Sequence, residues 1–389
     1  MVTDSTNGKN HQMIYFDSAA SYPMLQEAKE ALINASVELY GNPSSSHWPG
    51  ETALEEVEKA RELIADSIGA FPSEIVFTSG ATEANNLALK GHFSLDAFKE
   101  KRHLIVSAIE HKCILAIADF LAIDSAIEVS LVSPNEFGII TPEAIKALLK
   151  DNTSLVSVMH VNNELGTINP IADIGELCFE RGIKFHTDAA QSFLKEQIDV
   201  DEMNIDYLSI SAHKVGGPKG IGALYIRDRR TLPLTPVIHG AGQEEGLRGG
   251  TLPAPIIVSM GKAVETFTNA YELLKNQDLK SSLIDSLRHA EIDFQINGEG
   301  IPSLLSLTFP NTDVAALIRK NEKRFALSTG SACSSKEIEI SHVLEAIGMN
   351  RDLGERTLRI SFHHRLNNCD IEELVKQIKS YSLKDMNKR

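Results

Sequence analysis

Short apolar, β-branched runs alternate along most of this chain with longer segments whose apolar positions recur at helical spacing. Ile75–Phe77, Leu104–Val106, Leu155–Met159, Ile183–Phe185, Tyr207–Ile210 and Ala223–Ile226 read as strands. Leu54–Ile68, Glu83–Lys90, Thr141–Leu149 and Ile174–Arg181 repeat apolar residues every three or four positions and read as amphipathic helices. This alternation predicts an α/β domain with a mostly parallel sheet covered by helices. The pattern changes near Leu252–Pro255. Gly261–Asn276 reads as a long helix leading to a second unit, which mixes helices with strands such as Leu304–Thr308 and Leu358–Phe362.

Composition narrows the class. A chain of 389 residues implies two domains, or one large α/β domain with a smaller one appended. Hydrophobic content of 42% and charged content of 23% are those of a globular protein. A formal net charge of -15 argues against a protein built to grip nucleic-acid backbone. The first residues, MVTDSTNGKNHQ, hold no apolar core of a secretory signal, and no apolar run is long enough to span a bilayer. Cys113, Cys178, Cys333 and Cys369 form no CxxC pair, which suits free thiols in a reducing cytoplasm better than disulfides or a zinc site.

Mostly parallel sheets bind ligands beyond the carboxyl ends of their strands. Thr78–Thr82, His111, Asn163, Asp188 and Ser211–Lys214 each follow a predicted strand. SAHKVGGPKGIG sets Lys214 among small residues, and FHTDAAQS places Asp188 at a strand end. A lysine able to form a Schiff base, with a carboxylate to hold a pyridine nitrogen protonated, has the wiring of a pyridoxal phosphate site. In TSGATEANN, backbone N–H groups at a helix start around Ala81, with the Thr82 hydroxyl, would cradle a phosphate. Ser211 and His213 flank the lysine and would reach the same phosphate. His111 would stack on the ring and shuttle a proton. Asn163 and Gln191 are amides suited to the phenolic oxygen. Cys333, in STGSACSS, sits among small residues that form no core, as a thiol on an exposed loop would. Arg359, in TLRISF, is a clamp for a carboxylate, and Thr251, in RGGTLP, offers a hydroxyl to a phosphate. Read singly, each also has a structural explanation: a capped helix, a turn, a satisfied histidine, a surface ion pair.

Taken together the motifs resemble the cysteine desulfurases of the class V aminotransferase family, of PLP fold type I. The likeness runs from YFDSAASYP through GNPSSSH, TSGATEANNLA, EHK, HVNNELGT, HTDAAQS, SAHKVGGPKGIG, GLRGGTLP and GSACSS to LRIS. It implies a large domain, 16–262, whose mostly parallel seven-stranded sheet lies between helices. It implies a small α+β domain, 1–15 with 263–389, that carries the Cys333 loop. Lys214 would bind the cofactor and Asp188 would pair with its ring nitrogen. His111 would stack on the ring, and Asn163 and Gln191 would touch the phenolic oxygen. Ala81, Thr82, Ser211 and His213 would hold the phosphate. Thr251 would reach the phosphate of a second subunit, implying a homodimer with shared active sites. Arg359, with Asn163, would bind L-cysteine, and Cys333 would accept its sulfur as a persulfide, releasing alanine. A sulfur-acceptor protein, an iron–sulfur scaffold or a thiolation enzyme, would take it onward.

Some positions depart from that pattern. Glu245 stands where many relatives carry arginine, His363 and His364 follow LRIS in tandem, and the chain stops soon after Ile378. The last feature leaves the usual acceptor open. Two other readings compete: a selenocysteine lyase or other class V enzyme such as a transaminase, which has no use for a loop thiol, and a non-catalytic scaffold, which has no use for Lys214, Asp188 and His111 together.

Overall fold

The computed structural model describes residues 13–95, 99–100, 102–230, 234–329 and 340–383. After a two-residue strand, β1 (Ile14–Tyr15), the chain lays down one seven-stranded sheet. Its strands are β2 (Ile75–Thr78), β3 (His103–Ser107), β4 (Glu128–Val132), β5 (Thr153–Ser157), β6 (Lys184–Asp188), β7 (Tyr207–Ser211) and β8 (Gly222–Ile226). The spatial order is β2-β8-β7-β6-β5-β3-β4. Only β8 runs against its neighbours; the other pairings are parallel. The expected mostly parallel sheet is therefore present, with one reversed strand beside its edge.

Every residue of β2, β3, β5, β7 and β8 is buried. Burial on both faces explains why these strands read as continuous apolar runs rather than as alternating ones. The edge strand β4 is largely open to solvent, and its sequence EVSLV carries no such run. It was not legible as a strand for that reason.

The helices agree in place and differ at their ends. α1 (Gln26–Glu38) has only a weak apolar stripe and was not anticipated. α2 (Trp48–Asp66) starts earlier than expected, because His47 caps it by accepting from Gly50 N and Pro49 occupies its first turn. α3 (Ala81–Phe93) follows β2, and α4 (Lys112–Asp124) follows β3. The sequence of α4, KCILAIADFLAID, is apolar nearly all round and so shows no helical period. α5 (Pro142–Lys146) is shorter than its predicted span, and α6 (Ile171–Glu180) is close to it. α7 (Ala254–Gln277) begins directly after Pro253.

α3 and α4 bury Leu87, Leu89, Ile114, Ile117 and Leu121 against Val76, Leu104, Val106, Leu155 and Leu224 of the sheet. Each such side chain contributes about 1.5–3 kcal/mol by leaving water. The starts of α3 and α4, which carry the candidate chemistry, are thus fixed to a rigid sheet edge.

The chain divides into two compact units. Ser21–Asn163 and Ile168–Asn269 form one; the described residues up to Ala20, Glu164–Thr167 and those from Ala270 onward form the other. In the second unit, β9 (Gln295–Ile296), β10 (Leu304–Thr308), β12 (Ser328–Thr329) and β13 (Thr357–Ser361) make an antiparallel sheet of order β12-β13-β10-β9. β1 pairs in parallel with β11 (Phe325–Ala326). Both strands read from the sequence, at 304–308 and 358–362, are present. No helix among the described residues is long and apolar enough to cross a membrane.

Candidate active site

The carboxyl ends of β2, β3, β5, β6 and β7 share one edge of the large sheet, and β8 begins there. Thr78, Gly222 and Ser211 stand in one row across β2, β8 and β7, and Ser209 of β7 pairs with Asp188 of β6. This register places the segment leading into α3 beside the end of β7. A Cβ built on Gly80 would lie 3.9 Å from Ser211 Oγ, and one on Gly222 would lie 2.7 Å from the Gly80 Cα.

Asp188 ends β6 and is buried. Its Oδ2 accepts from Asn85 Nδ2 at 2.8 Å and its Oδ1 from Ala190 N at 2.9 Å. Two donors aimed at the two oxygens hold the carboxylate in one orientation. Asn85, wholly buried on α3, was not singled out from the sequence; its spacing of three from Thr82, on the same helix face, was the available signal. The same Nδ2 lies 3.4 Å from Cys113 Sγ. Burial above all pushes the Cys113 thiol up to about 11, so it stays protonated and is no nucleophile at neutral pH. The Thr82 hydroxyl also bonds this thiol.

Glu110 is a second missed residue. It is fully buried, and its Oε1 accepts from Met159 N at 2.5 Å. Burial first, and the charge of Asp188 second, raise its carboxyl well above the ordinary range.

His111 caps α4. Its Nδ1 accepts from Cys113 N at 3.2 Å, so a neutral ring carries its proton on Nε2. The ring is exposed at the sheet edge. Asn163 is half-buried beyond β5, and Gln191 is buried in the turn after Asp188, where its Oε1 accepts from Lys195 Nζ at 3.1 Å.

Lys214 closes a short 3-10 turn that follows β7 directly, after buried Ser211 and half-buried His213. His213 Nδ1 and Ser21 Oγ lie 3.3 Å apart. Burial, then the charges of Lys214, Lys219 and Lys195, bring His213 down to about 4, so it is neutral at physiological pH. α3 starts at Gly80 with no side-chain cap, leaving its N-terminus to half-buried Ala81 and exposed Thr82. Thr251 is exposed just ahead of α7.

These groups fit pyridoxal phosphate. The uncapped start of a thirteen-residue helix beside the Ser211 hydroxyl suits a phosphate. A buried, doubly anchored carboxylate suits a ring nitrogen that must stay protonated. Asn85 Oδ1, buried beside that carboxylate, takes no hydrogen bond from the described residues. Lys214 follows the strand next to Asp188 and supplies the amine.

In the other unit, Arg359 lies on β13, where its Nη2 donates to Asp17 Oδ1 at 2.7 Å. Asp17 was not singled out from the sequence; its sign was its place beside the chain's first strand. His363 is buried, accepts from Arg365 N at 3.3 Å through Nδ1, and is held at about 4, mainly by burial. It behaves as a neutral core histidine. Back in the unit of the large sheet, Glu245 has a backbone φ of 53°, and its carboxylate lies 3.4 Å from Arg229 Nη2. Cys333 lies outside the described residues.

The family model for class V aminotransferases matches residues 14–374. A mitosomal cysteine desulfurase of Trachipleistophora hominis is 42% identical, over 96% of this chain and 87% of its own length. The cysteine desulfurase IscS of Tolumonas auensis is 44% identical, over 90% and 87%. Among solved structures, SspA in complex with cysteine superposes with a TM-score of 0.82 at 46% identity, over 90% of this chain and 99% of that one. DndA from Streptomyces lividans does so with a TM-score of 0.75 at 37% identity, over 87% and 97%.

Proposed function

The chain belongs to the class V aminotransferase family, among its pyridoxal-phosphate-dependent cysteine desulfurases, and we propose that it moves the sulfur of L-cysteine onto its own Cys333. The observation that carries this reading is the doubly anchored Asp188 on the strand next to the one that delivers Lys214. Its likeness to the structure of SspA in complex with cysteine supports the choice of substrate.

Bound pyridoxal phosphate supplies an electron sink for the substrate Cα. The chain's residues direct it. Asp188, held in place by Asn85 and Ala190, would pair with the ring nitrogen. Ala81, Thr82, Ser211 and neutral His213 bind the phosphate, and Asn163 and Gln191 bind the phenolic oxygen. Arg359 and Asn163 receive the substrate carboxylate. His111, with its Nδ1 engaged by Cys113 N–H, presents Nε2–H to the ring and is no base there; Lys214 Nζ therefore takes the Cα proton. The Cys333 thiolate attacks the substrate sulfur. An S–S bond forms, the substrate Cβ–S bond breaks, and its electron pair stays with carbon and is protonated. L-Alanine leaves and Cys333 carries a persulfide.

Thr251 reaches the cofactor phosphate of a second subunit, so the working form is a homodimer. The persulfide passes to an iron–sulfur scaffold or a thiolation enzyme. The thiols of Cys113, Cys178 and Cys369, all free, accord with a reducing cytoplasm.

The test is Cys333→Ala, assayed for bound cofactor, alanine and protein persulfide. Cofactor is retained while alanine and persulfide formation are lost. Sulfide release at the wild-type rate would falsify the assigned nucleophile. Sedimentation of the reconstituted protein reads the dimer, and a monomer at working concentration overturns the shared site.

A further inference from the structure

Gln191 has a neighbour that the desulfurase reading leaves unused. Lys195 Nζ donates to Gln191 Oε1 at 3.1 Å, one helical turn back along the chain. The backbone bends sharply to allow this. Leu194 adopts a left-handed φ of 59°, a conformation unfavourable for a residue with a Cβ. Ser192 O then accepts both Lys195 N at 2.8 Å and Glu196 N at 2.9 Å. A strained residue fixes the direction in which the lysine turns.

The lysine turns toward other charges. Burial first, and the charge of Lys214 second, bring its amine down to about 7, against the opposing pull of Glu196. His213 senses Lys195 as well. The amine donates to Gln191 Oε1, and a glutamine amide offers one acceptor oxygen and one donor nitrogen. Once Lys195 claims Oε1, the Gln191 Nε2 hydrogens must point elsewhere.

We propose that Lys195 is a positioning residue: by donating to Oε1 it locks the Gln191 amide so that Nε2–H, not Oε1, would face the phenolic oxygen of the cofactor. This rests on the reading of Lys214 and Gln191 given above. A free amide could turn its oxygen to the phenolate and repel it. The locked one donates and draws charge out of the ring.

The experiment titrates the visible absorbance of the cofactor-loaded protein with pH, without substrate. The variants are Lys195→Met, Lys195→Arg, Gln191→Ala and the Met/Ala double variant. Loss of an aligned donor to the phenolic oxygen favours the protonated form of the bound cofactor. The midpoint therefore rises by about 0.5 unit or more in Lys195→Met and by less in Lys195→Arg. In the Gln191→Ala background, Lys195→Met adds a smaller shift. An unchanged midpoint in Lys195→Met, or an undiminished shift in the double variant, overturns the inference and leaves the desulfurase reading standing. A wild-type protein that gains no visible band with pyridoxal phosphate, or a band that survives Lys214→Ala unaltered, overturns that reading instead. Lys195→Gln carries the same test if Lys195→Met does not fold.

Discussion

Asn85 Nδ2 donates to Asp188 Oδ2 at 2.8 Å, joining α3 to the end of β6 across 103 positions of sequence. The bond ties the helix that would receive the phosphate to the carboxylate that would receive the ring nitrogen. One amide thus serves both ends of the candidate cofactor site.

Replacing Asn85 by alanine removes a hydrogen bond to a charged group, a change of about 1.5–3 kcal/mol. Asp188 loses its orientation. Expected is a fall of roughly 10- to 100-fold in affinity for pyridoxal phosphate, converted at about 1.4 kcal/mol per tenfold. Equilibrium dialysis of apoprotein reads it; unchanged affinity rejects the role.

Gly222 has no room for a side chain. A Cβ there would lie 2.3 Å from Ile210 O and 2.7 Å from Gly80 Cα. Gly222→Ala must push the Gly80 turn away from Ser211. The expected outcome is weaker cofactor binding with the sheet intact, seen as a raised dissociation constant and an unchanged far-ultraviolet dichroism spectrum. A variant that binds as tightly as wild type shows that the turn gives way harmlessly.

Arg61 and Glu244 form a buried pair. Arg61 Nη1 and Nη2 donate to Glu244 at 2.9 and 2.8 Å, and Phe77 N donates to the same carboxylate at 3.0 Å. The side chains are 8% and 1% exposed. Glu244→Ala strands a buried guanidinium, and such losses run to about 3–5 kcal/mol. Urea unfolding at fixed cofactor concentration should show it, together with loosening of the loop that carries Thr251. A midpoint within error of wild type would refute the anchor.

Acid weakens the fold through histidines buried neutral. Burial holds His92 and His186 at about 3, with Lys184 adding to the shift of His92. The unfolded chain binds these protons near pH 6.5 and the folded chain does not. Stability from this source is therefore complete above about pH 6.5 and drains as pH falls toward 3. Each histidine accounts for at most about 1.4 kcal/mol per pH unit in that window. Urea midpoints measured from pH 7 to pH 5 should decline, and His92→Gln should flatten the slope. A slope identical to wild type in that variant excludes His92 as a contributor.

Where the signal was local, the sequence was legible. Ile75–Phe77 and Tyr207–Ile210 read as strands because both their faces are buried, and Lys214 and Asp188 read as site residues because each directly follows such a strand. β4 escaped because an edge strand need not be apolar, and α4 because a helix apolar all round shows no period. Thr251, Arg359 and Cys333 were assigned roles through a resemblance of motifs rather than through any pattern of their own.

The sequence by itself determined six of the large sheet's seven strands, the edge at which chemistry gathers, and the lysine and aspartate suited to a pyridoxal group. The tertiary structure alone decided that Asn85 anchors Asp188, that Glu110 is buried, that Glu244 pairs with Arg61 and that Arg359 meets Asp17. Strand and helix preferences act between residues a few positions apart and leave a periodic trace. Pairings between distant polar side chains leave none, because any donor would serve any acceptor until packing excludes water and admits one partner.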